Sequence, residues 1–216
     1  VQLEPYEYIC RVKWHPDNNK LFIQTMSRDQ RKLDAFYVKR KTAKVLKKVF
    51  TEKDSAWVNI NDDLYFLQDG KFIWQSERDG FAHLYRFRDN GELINQVTKG
   101  EWALRSSGGP FWLRQSVQNI NEIKGKIYFT AMKESYVERH LYRSDLSGNN
   151  LKKISKESGV HSISCSPNGE YYLDKFSDSN TPPNLKLYSI EGELIKVIDE
   201  PQIELVSKIN LQTPEL

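Results

Sequence analysis

Internal repetition constrains this chain more than any other feature, because a unit copied at a steady period must fold into like pieces that pack on one another. Four times the sequence gives a turn, a short aromatic-rich strand, a loop, a second strand carrying tyrosine, a tight turn and a third strand. "HPDNNKLFIQTMSRDQRKLDAFYVKRKTAKVLKKV" starts at His15 and "LQDGKFIWQSERDGFAHLYRFRDNGELINQV" at Leu67. "IKGKIYFTAMKESYVERHLYRSDLSGNNLKKI" starts at Ile123 and "SPNGEYYLDKFSDSNTPPNLKLYSIEGELIKVI" at Ser166. Tyr37, Tyr85, Tyr142 and Tyr188 hold the matching place, at intervals of roughly 46 to 57 residues. That range overlaps the ~40–50 residues of a four-stranded propeller blade.

The joints carry the chemistry that such a unit needs. Ser166-Pro167-Asn168-Gly169 places a proline, with its φ already set, at the second turn position, and a glycine at the last. Asp89-Asn90-Gly91, Leu146-Ser147-Gly148 and Glu191-Gly192 close the next hairpin of their copies and supply the positive φ that tight hairpins require. Aromatic residues at 12% and the scarcity of Ala- and Leu-rich runs favour strands over helices. Short strands with turns between them fit a sandwich, a barrel or a propeller; the sustained long period selects the propeller. The fold class expected is therefore all-β, a β-propeller fragment, with blades over about 6–52, 57–99, 101–156 and 158–200 and residues 201–216 beginning a further strand or a linker. The third copy is lengthened by "RSSGGPFWLRQSVQN" (105–119), read as an irregular connection folded onto its blade or as a loop on a contact surface.

Charge and composition exclude several functions. The formal net charge of +3 is a small excess of 32 bases over 29 acids, interspersed along the chain, which makes no case for nucleic acid or an anionic membrane. No apolar run reaches the ~20 residues of a membrane-spanning helix. Cys10 and Cys165 lie far apart without CxxC spacing and read as two unpaired, buried thiols. Val1 opens inside an alternating pattern, as a piece taken from a longer chain would.

Catalytic signatures are missing. The sequence has no Gly-x-Ser-x-Gly elbow, His-Glu-x-x-His helix, Walker loop or GxGxxG turn. Ser107, beside glycines in "RSSGG", reads as a loop residue. His15, His83, His140 and His161 fall about one per copy, and His83 and His140 share the context "HLYR". Such residues occupy neighbouring blades and have structural or edge roles rather than forming a zinc site. Glu77, Arg78 and Asp79 recur in kind as "SRDQRK" of the first copy, as solvated hairpin tips would. The lysines of "KVLKKV" alternate with Val45, Leu46 and Val49 and read as an outer strand guarded against edge pairing. No catalytic residue, metal site or cofactor is expected within the chain.

Three stretches carry a family resemblance: "WVNINDDLYFLQDGKFIWQSERDGFAHLYRFRDNGELINQVTKGEW", "ERHLYRSDLSG" and "HSISCSPNGEYYLDKFSDSNTPP". In that order they resemble the N-terminal β-propeller of bacterial dipeptidyl peptidase IV, over about Tyr8 to Val206. The resemblance implies about four blades of an eight-bladed propeller, and an exported parent of the periplasm or cell envelope. It implies a serine-type exopeptidase that releases dipeptides from peptides with penultimate Pro or Ala, its triad in a C-terminal α/β-hydrolase domain in cis beyond Leu216. The paired glutamates that hold the substrate amine in the family have no counterpart here, since no Glu-Glu pair occurs. "WVNINDD" matches a Trp-Val-Asn run of the family often followed by His-Asp; by that match Trp57 and Asn59 line the substrate cavity, and Asn61 departs from the histidine. Otherwise Trp57 is core and Asn59 a turn cap.

Two other classes remain at this point: a stand-alone interaction scaffold like the WD-repeat propellers, whose Gly-His…Trp-Asp signature is missing, and the propeller of an oligopeptidase or acylaminoacyl peptidase relative. Half a propeller would leave two blade faces uncovered, at about 25 cal/mol per Å² of apolar surface, and two copies associating as a homodimer would cover them.

Overall fold

The computed structural model describes residues 6–60, 62–107 and 115–200. All regular structure among them is β, in separate antiparallel sheets, each with neighbouring strands in chain order. The first sheet holds β1 (Tyr8–Trp14), β2 (Lys20–Met26), β3 (Lys32–Lys39) and β4 (Val45–Lys53). The second holds β5 (Leu64–Phe66), β6 (Phe72–Ser76), β7 (His83–Phe87) and β8 (Leu93–Gln96). The third holds β10 (Val117–Asn121), β11 (Lys126–Met132), β12 (His140–Asp145) and β13 (Lys152–Lys153), with the short β9 (Ala103–Leu104) also paired to β11. The fourth holds β14 (Val160–Cys165), β15 (Tyr171–Ser177), β16 (Asn184–Ser189) and β17 (Leu194–Asp199). This meander of four strands is the form of a propeller blade. No helix is long and apolar enough to cross a membrane among the described residues.

The repeat read from the sequence becomes one structural position. Tyr37, Tyr85, Tyr142 and Tyr188 each lie on the third strand of their sheet, β3, β7, β12 and β16. The turn residues act as their chemistry dictates. Gly91, Gly148 and Gly192 hold φ of 86°, 90° and 91° in the hairpins that follow those strands. Asn18, in the first turn, supplies the same left-handed backbone at φ 55°. The lysine-rich β4 is the end strand of its sheet, which agrees with its alternating pattern.

The chain forms two compact units, 1–96 and 97–216. In the first, Phe22, Leu33, Tyr37 and Val49 of one sheet pack with Leu64, Phe72, Trp74, Tyr85 and Phe87 of the next, and half-buried Phe50 and Phe66 join them. The Phe72 and Phe87 rings stack at 5.2 Å and Phe50 stacks on Phe87 at 5.6 Å. In the second unit, Tyr128, Leu141 and Ile154 pack with Ile163, Tyr172 and Ile190. Both units bring a hairpin glycine against the preceding sheet. A Cβ on Gly91 would run into the carbonyl oxygen of Val49, and one on Gly192 would sit 2.9 Å from that of Ile154. Glycine at these places thus serves both the turn and the close approach of two sheets.

Cys10 and Cys165 are both free thiols and half-buried, one in each unit. Desolvation pushes the Cys165 thiol up to about 12, so it is not a nucleophile at neutral pH.

Candidate functional site

The segment that leaves β4 and enters β5 borders a concavity of the first unit. Its start is tied to the β2–β3 loop: Asp54 N–H donates to Arg31 O at 3.1 Å and Val58 N–H to Gln30 O at 2.8 Å. The Asp54 carboxylate turns the chain by accepting Ala56 N–H at 2.7 Å. Its end is tied down by Asp62, which accepts Arg11 Nε at 2.6 Å, and by Asp63, whose carbonyl accepts Gln75 N–H at 3.1 Å. Held at both ends, the segment keeps the Trp57 side out of the core. That indole is 59% exposed.

Below it lies a concavity of about 210 Å³ whose walls are Thr51–Asp54 at the end of β4, Trp57–Asn59, and Gln75–Arg78 at the end of β6. Glu52 closes one wall, accepting Trp74 Nε1 at 2.9 Å and Arg78 Nη2 at 2.6 Å. The Arg78 guanidinium in turn lies over Tyr85 and Phe87, 4.8 and 5.2 Å from their ring centres. Burial raises the Tyr85 hydroxyl well above the ordinary phenol value, and the nearby Asp79 charge adds to it, so it stays protonated. On the other wall Trp57 Nε1 donates to Asn59 Oδ1 at 3.3 Å, and Asn59 Nδ2 donates to Glu77 Oε2 at 2.8 Å. One amide therefore links an indole to a carboxylate.

Trp57 and Asn59, which the resemblance to the family motif placed together, share this concavity. Trp57 is not a core residue, and Asn59 bridges two side chains in addition to any local turn. Asn61 lies outside the described residues. The tip at Glu77–Asp79 is exposed as expected of a hairpin end, yet Glu77 and Arg78 also form a wall of the concavity. Spacing alone hides this, because Glu52 and Trp57 reach it from before the strand that leads into the tip.

The second unit offers a different set of reactive types. His161 Nδ1 lies 2.6 Å from Asp174 Oδ2, and its Nε2 lies 2.8 Å from Glu157 O. The His140 ring centre is 5.1 Å from that of His161. His140 Nδ1 is 3.0 Å from Ser155 Oγ, and its Nε2 is 2.7 Å from Glu138 Oε2. A serine, two histidines and two acids thus meet inside the second unit. Ser155 Oγ accepts Leu141 N–H at 3.0 Å, which leaves its one proton for His140 Nδ1. Both rings and the hydroxyl are buried, and Ser155, His161 and Asp174 line one side of a hollow of about 200 Å³ that Tyr172 and Tyr188 complete. Desolvation holds the His140 ring below its ordinary pKa despite the Glu138 bond, and His161 and Lys153 add to the lowering. The two rings lie at the joint between the third and fourth sheets. Three of the histidines read as structural, His83, His140 and His161, are wholly inside, and His15 is nearly so.

Ser107 is also committed: its Oγ accepts Ile163 N–H and donates to Ile163 O at 2.9 Å. The apolar clump at Phe111–Leu113 lies outside the described residues. Among the described residues no group of three or more His, Cys, Asp or Glu is placed to hold a metal ion.

Comparison with known proteins converges on one family. Residues 3–183 match the model of the dipeptidyl peptidase IV (DPP IV) N-terminal region. The probable dipeptidyl-aminopeptidase B of Coccidioides posadasii is 29% identical over 190 residues, covering 81% of this chain and 19% of that protein. Dipeptidyl peptidase 8 of Homo sapiens is 22% identical over 241 residues, covering 89% of this chain and 26% of that protein. This chain therefore spans about a fifth to a quarter of the length of these relatives. Among solved structures, Porphyromonas gingivalis dipeptidyl peptidase 4 superposes with a TM-score of 0.78 at 23% identity, over 94% of this chain and 27% of that one. That likeness establishes the propeller-type fold.

Proposed function

The chain belongs to the family of dipeptidyl peptidase IV N-terminal regions, and on that premise we propose that it is the non-catalytic propeller portion of a serine exopeptidase of the dipeptidyl peptidase IV type. Its sheets are consecutive blades, over about 6–52, 57–99, 101–156 and 158–200. They form cavity wall and substrate access for an α/β-hydrolase domain that carries the serine, aspartate and histidine. The substrates are peptides with Pro or Ala in the second position, released as N-terminal dipeptides, and the parent works in the periplasm or cell envelope. A propeller over a hydrolase restricts what reaches the nucleophile, which a triad by itself does not do.

The observation that supports this reading is the concavity under Trp57. Residues that the family motif brings together, Trp57 and Asn59, share one wall, and a solvent-facing indole held by its own N–H suits contact with a peptide.

The test uses both the chain and its parent. The chain alone is expected to leave a chromogenic Xaa-Pro anilide intact; turnover that a serine-directed inhibitor abolishes would overturn the reading. In the parent enzyme, Trp57→Ala is expected to raise KM by roughly three- to tenfold, the range of a lost aromatic contact, with a smaller change in kcat. An unchanged KM would remove Trp57 and Asn59 from the substrate wall.

A further inference from the structure

We infer that the concavity beside Trp57 is a subsite for a positively charged peptide side chain, arginine above lysine. The inference rests on the substrate-wall reading of this concavity and adds the chemistry of what enters it.

The walls bring three carboxylates, Glu52, Asp54 and Glu77, together with the cations of Lys53 and Arg78. Glu52 and Arg78 cancel each other at 2.6 Å, and Arg78 is further held on the faces of Tyr85 and Phe87. Asp54 and Glu77 are left against Lys53, an excess of negative charge on a surface that also offers an aromatic face. Glu77 commits one oxygen, Oε2, to Asn59 at 2.8 Å, and keeps the other for a donor. Through the same amide the Trp57 indole is turned by its N–H toward Asn59 at 3.3 Å.

Indole face, carboxylate and an amide that fixes both make the set that a guanidinium recognises. Its plane stacks on the ring while its N–H groups reach the carboxylate. An ammonium keeps the charge but loses the plane, so lysine follows arginine. An apolar side chain of the same length gains only the stacking, and an acidic one meets Asp54 and Glu77. Asn59 is a positioning residue here. It need not touch the peptide to matter, because it holds Trp57 and Glu77 in register.

Binding to the chain itself tests this without any catalysis. The probes are acetylated, amidated tetrapeptides Ala-Xaa-Ala-Ala in which Xaa is arginine, lysine, norleucine or glutamate. The caps remove the terminal charges, and calorimetry gives each Kd. Arginine is expected to bind roughly tenfold more tightly than norleucine, the size of a half-exposed cation–π contact with one ion pair, and glutamate weakest. Glu77→Gln should reduce the arginine-to-norleucine ratio severalfold while leaving norleucine binding unchanged, and Trp57→Leu should weaken both. Asn59→Ala should act on both preferences with no loss of folding by circular dichroism. Equal binding of the four peptides, no binding, or a ratio untouched by Glu77→Gln overturns the inference. If arginine preference holds on the chain but the parent releases no dipeptides, the subsite stands and the exopeptidase reading falls. If the parent releases dipeptides and Trp57→Ala raises KM without any charge preference, only the subsite falls.

Discussion

The two units join their sheets with different materials. Between β3–β4 and β5–β7 the first unit places aromatic rings: Phe22, Phe50, Phe72, Trp74 and Phe87, several of them stacked. Between the third and fourth sheets the second unit keeps a smaller apolar cluster and adds His140, Ser155, His161 and Asp174, joined by directional bonds. Dispersion and burial of rings do not depend on a proton. The histidine joint does at His140, whose burial disfavours the charged form of the ring. The same architectural task thus rests mainly on apolar rings in one unit and partly on a buried, titratable imidazole in the other.

Truncation of the aromatic joint is the strongest way to break the comparison. Phe72 is fully buried and touches rings from both sheets, so Phe72→Ala is expected to cost about 3–5 kcal/mol, read from urea unfolding monitored in the first unit. Leu141→Ala, at the equivalent joint of the second unit, should fall toward the lower part of about 2–5 kcal/mol. If the two changes cost the same, ring stacking adds nothing beyond area.

Acidification sharpens it next. The folded state holds His140 below its ordinary pKa of about 6.5, chiefly through desolvation, whereas the unfolded chain takes up the proton there. The unfolded state therefore binds more protons as pH falls below about 6.5, and stability drops with it by at most about 1.4 kcal/mol per pH unit for this one site. The groups facing the ring set the size of the effect. Glu138 accepts Nε2, Ser155 meets Nδ1, and His161 with Asp174 and Lys153 stand nearby. His140→Gln, which keeps a polar side chain without the titration, should flatten the pH dependence of unfolding between about pH 7 and pH 5. An unaltered slope would place the acid sensitivity elsewhere.

The smallest effect is the most useful for function. Trp57 is exposed, so Trp57→Ala should change the stability of the first unit by no more than about 0.5 kcal/mol. A measured loss much above that would mean the indole supports the fold and would weaken its case as a peptide contact.

Much of this was legible before any coordinates, and particular residues show why. Gly91, Gly148 and Gly192 announced their hairpins because positive φ is a local demand that glycine meets without strain. The four tyrosines marked the third strands because alternation along a strand is also local. What stayed hidden was each place where separate copies touch. Glu77 and Arg78 read as a solvated tip, and no spacing links them to Glu52 or Trp57. His140 and His161 fell in different copies, and nothing in "HLYR" says that the next sheet brings a second imidazole to 5.1 Å.

The sequence by itself determined the sheets, their turns and the order of their strands, because these follow from φ preferences and from which side of a strand each residue faces. Only the tertiary structure decided that an exposed indole, an amide and a carboxylate share one hollow, and that two histidines close a joint. Those groupings depend on how one sheet lies on the next, and that is set by the summed packing of whole faces rather than by any short run of residues.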